Sequence, residues 1–415
     1  MSTPRRVAIL GSTGSIGIQA LEVISAHPES FRVVALCAGT NAALLAEQAR
    51  TFRPELVGIR DDAAAMGLTD QLKGLGAEVL SGVESAEHIA EHSQADVVLN
   101  AITGSIGLKP TLAALKSGAT LALANKESLV VGGALVQQAV QRPGQVVPVD
   151  SEHSALAQAL ASGSHERGIC AVPRRDADEL NGQTEVAKLI LTASGGPFRG
   201  WSAKDLAGVT PEQALKHPNF AMGVMVTTNS ATMVNKALEV VEAHLLFDVP
   251  LERIDTVIHP QQYIHSFVEF QDGSTMAQAG PPRMLVPIAL GLSWPDRLEQ
   301  VDSPIDWSRS MSWEFEPLDH SAFPAVQLAK QAAGASATHM AVYNAANEQA
   351  VEAFHAGRLG FTGIVATVEQ VLAQHSGVSE SAADLETVLG VEEWARQAAE
   401  VLIGQAAPTV SGAAR

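Results

Sequence analysis

The chain is short of cysteine, of positive charge and of long apolar runs, and each shortage removes a class of protein. Cys37 and Cys170 are the only two cysteines in 415 residues, so no disulfide framework is implied and a reducing compartment is the default. Lysine and arginine number 27 against 45 acids, a formal charge of −18. A nucleic-acid binder would carry a basic face instead, although a local cluster of cations can still hold an anion. No uninterrupted apolar run reaches membrane-spanning length, since even Ala119 to Val136 carries Lys126 and Glu127. The apolar stretch before Gly11, Val7-Ala8-Ile9-Leu10, is too short for the core of a secretory signal. No internal repeat is evident. A soluble, cytoplasmic protein is expected, with neither nucleic acid nor membrane as a partner. What is present is ordinary globular material, 46% hydrophobic with a mean hydropathy of +0.12, enough for two or three domains.

Residues 5–150 alternate strand and helix signals. Arg5–Leu10 and Phe31–Cys37 read as strands, with helices through about Ala26 and over 41–51. Ala95–Asn100 and Ala119–Ala124 are further apolar strands, each followed by a helical pattern. This order predicts an α/β fold with a doubly wound parallel sheet. Gly11-Ser12-Thr13-Gly14-Ser15-Ile16-Gly17 falls where the first strand turns into the first helix. Glycines there let backbone N–H groups approach a pyrophosphate at the positive end of a helix. The spacing is G-x-x-G-x-x-G, a looser form of the usual fingerprint, and a plain glycine-rich turn is the competing reading. The second strand ends in Cys37-Ala38-Gly39-Thr40-Asn41, with no acid to hold a ribose 2′-hydroxyl, which favours NADP over NAD. No lysine or arginine stands there either.

Two further strand ends carry polar residues. In Ala124-Asn125-Lys126-Glu127-Ser128, a helix start explains Asn125 as cap and Glu127 in the first turn. It does not explain Lys126, a cation at the positive end of a helix, which fits better facing an anionic ligand. In Val149-Asp150-Ser151-Glu152-His153-Ser154, two carboxylates sit two residues apart. Extended geometry through Glu152 would put both on one side of the backbone. Paired acids repel unless a cation lies between them, and hard oxygen ligands suit Mg²⁺ or Mn²⁺. The competing reading is a solvated turn with Ser151 or Ser154 capping a helix.

Residues 162–185 read as a polar surface loop. Order returns with the strand Val186–Ala193, followed by Ser194-Gly195-Gly196-Pro197-Phe198, either an anion nest or a plain turn. Lys216 to Met225, with His217 and Phe220, reads as a mobile loop with an apolar tip. Ser230 to Phe247 is the clearest helix, with Ser230 as its cap. Met233, Val234, Ala237, Leu238, Val241 and Leu245 form its apolar stripe. Asn235, Glu239 and Glu242 lie on another face, with Lys236 beside them. That face is either solvated, or a place for an anion at Asn235-Lys236 and for a metal ligand at Glu239. Antiparallel strands are expected at Ile254–His259, Ile264–Phe270 and Thr275–Ala279, and helices over 325–334, 338–356, 363–374 and 391–404.

Together these motifs resemble one family, 1-deoxy-D-xylulose 5-phosphate reductoisomerase, along nearly the whole chain. The resemblance rests on Gly11 to Gly17, Leu123-Ala124-Asn125-Lys126-Glu127-Ser128-Leu129, Val149 to Ala155, Ser194 to Arg199, His217-Pro218-Asn219, Asn235-Lys236 with Glu239, and His259-Pro260-Gln261. It implies conversion of 1-deoxy-D-xylulose 5-phosphate to 2-C-methyl-D-erythritol 4-phosphate with NADPH and Mg²⁺ or Mn²⁺, in non-mevalonate isoprenoid synthesis, by a homodimer. It implies NADPH contacts from Thr13, Gly14, Ser15, Ile16, Gly39, Thr40, Asn41, Asn125, Glu127 and Gly223, and metal ligation by Asp150, Glu152 and Glu239. It implies substrate contacts from Lys126, Ser151, Glu152, Ser194, His217, Ser230, Asn235, Lys236 and Glu239. Lys126, Asp150, Glu152, His217 and Glu239 are the implied catalytic residues.

The implied layout is a Rossmann-like NADPH domain over 1–149 and an α+β catalytic domain over 150–293 with a lid at 216–225. A connection over 294–324, a C-terminal helical bundle over 325–405 and a flexible tail over 406–415 complete it. Three departures stand out: Thr40 replaces the Lys of many members, Phe220 replaces the usual lid Trp, and the loop over 162–185 is longer than the family pattern. A metal-assisted NADPH dehydrogenase of another phosphorylated sugar, without skeletal rearrangement, is the first alternative. A non-catalytic nucleotide sensor is the second, and it would need a broken metal triad.

Overall fold

The structure, a computed structural model, describes residues 3–173, 179–216 and 223–405. Its N-terminal part alternates strands and helices: β1 (Arg5–Leu10), α1 (Ser15–Ala26), β2 (Phe31–Ala38), α2 (Ala42–Phe52), β3 (Leu56–Ile59), α3 (Asp62–Gln71), β4 (Glu78–Ser81), α4 (Ser85–His92), β5 (Val97–Asn100), α5 (Leu108–Lys116), β6 (Thr120–Leu123), α6 (Lys126–Ala139) and β7 (Val146–Pro148). The strands form one seven-stranded sheet in the order β4-β3-β2-β1-β5-β6-β7, and its pairings are parallel. Strands covered on both faces read as unbroken apolar runs. In β1, Val7 and Ile9 pack in one core with Leu21 and Leu45, while Ala8 and Leu10 belong to another with Ile89, Leu115 and Leu129. The strand order reverses at β1, so the crevice at its carboxyl end is the place where such sheets take ligands.

The chain continues through α7 (Ser151–Leu160), β8 (Val186–Ala193), the short helices α8 (Ala203–Leu206) and α9 (Pro211–Ala214), α10 (Val224–Ala231), α11 (Val234–Phe247), β9 (Ile254–Ile258), β10 (Ile264–Phe270), β11 (Thr275–Ala279), α12 (Leu285–Ser293) and β12 (Glu316–Pro317). A second sheet runs β11-β10-β8-β9-β12. The expected antiparallel meander over residues 254–280 is corrected here. β10 pairs antiparallel with both β11 and β8, but β9 lies on the far side of β8 and runs parallel to it. The inserted strand comes from about 70 residues earlier, a long-range pairing that local alternation cannot encode.

Helix α12 returns to the first sheet. Ile288, Ala289 and Leu292 bury against Ala122 and Val149, and the Arg5 guanidinium donates to the Leu292 carbonyl at 3.1 Å. Four helices complete the chain, α13 (Ala325–Ala335), α14 (His339–His355), α15 (Phe361–Leu372) and α16 (Leu385–Gln405). α14 is central, with Tyr343, Ala346 and Asn347 fully buried. Asn347 Nδ2 donates to Asn229 Oδ1 of α10 at 2.9 Å. No helix among the described residues is long and apolar enough to cross a membrane.

Candidate active site

The first wall of the site is the β1–α1 turn. Gly11 has φ +85°, and a Cβ on it would lie 2.6 Å from the Ala101 carbonyl oxygen. A Cβ on Gly17 would lie 2.4 Å from the Gly11 oxygen, so this glycine lets α1 close on β1. Gly14 caps α1 with no side-chain hydrogen bond to the first turn, which leaves those N–H groups for an anion. The glycines therefore fit a dinucleotide pyrophosphate. Gly39, Thr40 and Asn41 follow β2 at the same edge, and Asn41 caps α2 through the Leu44 N–H. Asn125 is buried behind the rim. Its Oδ1 accepts from the Ser128 N–H at 2.7 Å, while its Nδ2 donates to the carbonyls of Ile102 and Gly104. One side chain thus caps α6 and pins the loop after β5.

The second wall is a cluster of charge. Asp150 caps α7 and accepts from the Ser151 N–H at 2.8 Å, and Glu152 lies in that helix's first turn. The extended geometry expected through Glu152 is therefore corrected: a helix start, not a strand, brings the two carboxylates together. Glu239 projects from α11. One oxygen from each of Asp150, Glu152 and Glu239 can lie within 4.8 Å of the others. Lys126 Nζ pairs with Asp150 and lies 2.9 Å from Glu239 Oε1 and 3.1 Å from Asn235 Oδ1. Lys236 Nζ pairs with Glu239 and with Glu152 Oε1 at 2.6 Å. Three carboxylates against two ammonium groups leave an excess negative charge in a buried place. Burial and the charge of Glu152 push Glu239 up to about 7. Burial would also raise Asp150, but the adjacent Lys126 outweighs it and holds the carboxyl well below the usual range. Burial pulls at Lys126 too, yet Asp150 and Glu239 keep it firmly protonated. A set of hard oxygen donors with surplus negative charge fits a divalent cation.

Behind this cluster sits a pair that the sequence reading passed over. His153, fully buried on α7, donates from Nε2 to the Glu239 carbonyl at 2.8 Å. Its Nδ1 faces Glu242 Oε2 at 3.3 Å. Burial lowers His153 to about 4 and, with the charge of Asp150, raises Glu242. The pair is a buried contact between an imidazole and a carboxyl. It joins the helix bearing Glu152 to the helix bearing Glu239.

The third wall comes from Ser194, Gly195 and the α10–α11 break. Gly195 and Gly196 both have positive φ, 81° and 63°, and the Gly196 N–H donates to Ser194 Oγ at 3.1 Å. The single helix expected from Ser230 to Phe247 is corrected. Met233, at φ 64°, breaks it into α10 and α11. Ser230 caps nothing; it lies in the last turn of α10, its Oγ donating to the Val226 carbonyl at 3.0 Å. The break turns Asn235 and Lys236 toward Lys126. The face carrying Glu239 and Glu242 is buried rather than solvated, each residue being 1% exposed.

A cleft of about 850 Å³ runs between these walls. Of the residues singled out in the sequence it takes in Gly14, Ser15, Ile16, Lys126, Glu127, Asp150, Ser151, Glu152, Ser194, Gly223, Ser230, Asn235, Lys236 and Glu239. Thr13, Gly39, Thr40, Asn41 and Asn125 are not among its lining residues. His217 and Phe220 lie outside the described residues. The cleft is also lined by Ala101, Ile102 and Thr103 after β5, and by Pro282, Arg283 and Met284 before α12. The first group follows a strand end and was open to the same reasoning as Asn125; the second carried no local signal.

A nucleotide-type sheet whose ligand crevice opens onto a charged carboxylate trio defines a dinucleotide-dependent, metal-assisted enzyme. Family profiles match in three stretches: 1-deoxy-D-xylulose 5-phosphate reductoisomerase over residues 7–133, and C-terminal domains of the same enzyme over 146–247 and 279–398. The 1-deoxy-D-xylulose 5-phosphate reductoisomerase of Paenarthrobacter aurescens is 57% identical over 402 residues, covering 95% of this chain and 96% of that protein. The same enzyme of Mycobacterium marinum is 53% identical, covering 97% and 94%. Among solved structures, the Zymomonas mobilis enzyme in complex with NADPH superimposes with a TM-score of 0.85 at 38% identity, covering 97% of this chain and all of that one. A DOX-P reductoisomerase in complex with NADPH, fosmidomycin and magnesium gives 0.86 at 35%, covering 96% and 98%. The chain belongs to the 1-deoxy-D-xylulose 5-phosphate reductoisomerase family.

Proposed function

We propose that this cleft rearranges and reduces 1-deoxy-D-xylulose 5-phosphate to 2-C-methyl-D-erythritol 4-phosphate, with NADPH and a divalent cation, Mg²⁺ or Mn²⁺. The observation that carries the reading is the convergence of Asp150, Glu152 and Glu239 within 4.8 Å, in the same cleft as the Gly14–Ile16 turn. These three acids are the metal ligands. Thr13, Gly14, Ser15, Ile16, Gly39, Thr40, Asn41, Asn125, Glu127 and Gly223 serve the cofactor. Ser194, Ser230, Asn235 and Lys236 take the substrate phosphate, with Ser151 and, from the sequence resemblance, His217 completing the substrate contacts. A bound cation supplies Lewis-acid polarisation of a carbonyl, and bound NADPH supplies the hydride.

The protein's own part is placement. Lys126, held protonated, presents hydrogen-bond donors beside the acids, where negative charge develops on substrate oxygen. The phosphate takes no part in the chemistry, so its binding energy at Lys236 and Asn235 holds the reacting end in place. The dehydrogenase alternative uses the same cofactor turn but would have no need of a site for rearrangement. Incubating the purified protein with 1-deoxy-D-xylulose 5-phosphate, NADPH and Mg²⁺, and identifying the product by NMR, tests the reading. A reduced sugar with an unrearranged skeleton, or NADPH oxidation that ignores added metal, would refute it.

The division into a cofactor domain over 1–149, a catalytic domain over 150–293, a connection over 294–324, a helical domain over 325–405 and a tail over 406–415 belongs to the same proposal. So does a homodimer. Phe315, with Met276 and Trp307, leaves apolar surface exposed around the second sheet, the kind of patch that marks an interaction face. Sedimentation at micromolar concentration should give twice the chain mass. The free thiols of Cys37 and Cys170 suit a reducing, cytoplasmic setting.

A further inference from the structure

The end of β2 lacks both the acid that favours NAD and the cation that favours NADP. The sheet supplies the cation from the next strand. β3 pairs parallel with β2, Ala38 opposite Ile59, and the pairing continues past both strand ends. The Arg60 N–H donates to the Ala38 carbonyl at 3.0 Å, and the Asp61 N–H to the Gly39 carbonyl at 3.1 Å. Arg60 is thereby fixed beside Ala38, Gly39 and Thr40. It is exposed, and its guanidinium is in no hydrogen bond or ion pair among the described residues. Among residues 37–41, 60–62 and 81–83, it is the one cation. Gly39 adds no side chain, and a Cβ built on it would meet nothing within 4 Å, so the space above the strand end is open. In a doubly wound sheet the adenosine ribose rests over the end of the second strand. Asp61, the next residue in the chain, is committed elsewhere: its Oδ1 caps α3, accepting from the N–H groups of Ala63 at 2.8 Å and Ala64 at 3.2 Å.

We propose that Arg60 is the residue that distinguishes NADPH from NADH in this chain, its guanidinium receiving the 2′-phosphate in the place left by Thr40. The inference rests on the cofactor assignment made above. A guanidinium holds a phosphate through two parallel N–H donors, which threonine cannot offer. The hydroxyl of Thr40 is left to donate one further bond. Arg60 lies away from the carboxylate cluster, so its contribution falls on cofactor binding and not on the reacting atoms.

The test compares Arg60→Ala, Arg60→Lys and Arg60→Glu with the unaltered protein. Turnover is measured with NADPH and with NADH, and binding of 2′,5′-ADP and 5′-AMP by competition against NADPH fluorescence. Arg60→Ala should raise KM for NADPH about tenfold to a hundredfold, the range expected for losing a charge-assisted hydrogen-bond pair. It should leave kcat and both NADH constants unchanged. Binding of 2′,5′-ADP should weaken by the same factor while 5′-AMP is unaffected. Arg60→Lys should restore part of the loss, and Arg60→Glu should exceed it. Equal effects on the two cofactors, or none on 2′,5′-ADP, overturn the role of Arg60. Failure of the unaltered protein to oxidise NADPH with the sugar phosphate would instead overturn the cofactor assignment itself.

Discussion

Asp150, Glu152 and Glu239 face one another with Lys126 and Lys236 between them, and none of these five could be buried there alone. Asp150→Asn, Glu152→Gln and Glu239→Gln each remove one unit of ligand charge while keeping shape. Each should weaken Mn²⁺ binding by at least about tenfold, read directly from free Mn²⁺ by electron paramagnetic resonance, with the far-ultraviolet circular dichroism unchanged. If all three variants bind Mn²⁺ as tightly as the parent, the trio is not the metal site. At this scale the sequence was largely legible. Acidic, amide and lysine side chains at strand ends pointed to Lys126, Asp150 and Glu152, because polar residues closing a buried strand have few structural reasons to be there. Arg60 was not legible. Its neighbour Gly39 is about 20 residues earlier, and only the β2–β3 pairing joins them. Glu242 and His153 were missed for a related reason: a helix face of mixed charge looks solvated until a second helix is known to cover it.

Among the elements, α6 shows how one side chain can serve two structures. Asn125 caps the helix and ties down the loop after β5, so its two functions are separable by substitution. Asn125→Ala should lose both, with a fall in stability of about 1–2 kcal/mol from the cap alone and weaker NADPH binding from the freed loop. Asn125→Ser keeps a neutral cap acceptor but is too short to donate to the Ile102 and Gly104 carbonyls. It should nearly restore the melting temperature while leaving NADPH binding impaired. Parallel recovery of both properties would show that the loop needs no such tie. The α10–α11 break is the element that sequence periodicity could not give. Residues 230–247 keep an apolar stripe across it, and Met233 is not a residue that announces a left-handed turn. The position is set by packing, since Met233 is 2% exposed. Likewise the 3.6-residue periods gave the four C-terminal helices to within a few residues at most ends, yet nothing local said that α14 would lie against α6 and α10.

Across the whole molecule, the last helix reaches back to the cofactor loop. Glu392 of α16 is 5% exposed, and the hydroxyl of Ser105, which follows that loop, acts to lower its pKa. Arg396 pairs with Glu348 at 2.6 Å and approaches Glu392 at 3.6 Å. Burial outweighs these partners and raises Glu392 from 4.5 to about 7. In the unfolded chain this carboxyl ionises near its ordinary value, whereas the folded protein keeps the proton until about pH 7. Its contribution to stability therefore declines as pH rises through that window and stays low above it. Glu392→Gln should remove the decline, so the melting temperature of the variant relative to the parent should climb between pH 5 and pH 8. A difference independent of pH would mean that the carboxyl titrates normally.

The return of α12 to the first sheet has a further test. A fragment of residues 1–149 should bind a hydrophobic dye and aggregate, because Ala122 and Val149 lose Ile288, Ala289 and Leu292 as their cover. A monomeric fragment with a cooperative thermal transition would show that the cover is dispensable. The same return sets a schedule for synthesis in the cell. The ribosome must add roughly 140 residues after β7 before α12 exists, which at about 5–20 residues per second leaves one face of a finished sheet bare for roughly 7–30 seconds. Chaperone demand should peak in that interval, and codons that slow translation between β7 and α12 would lengthen the exposure of nascent chains far more than equally slow codons after α12.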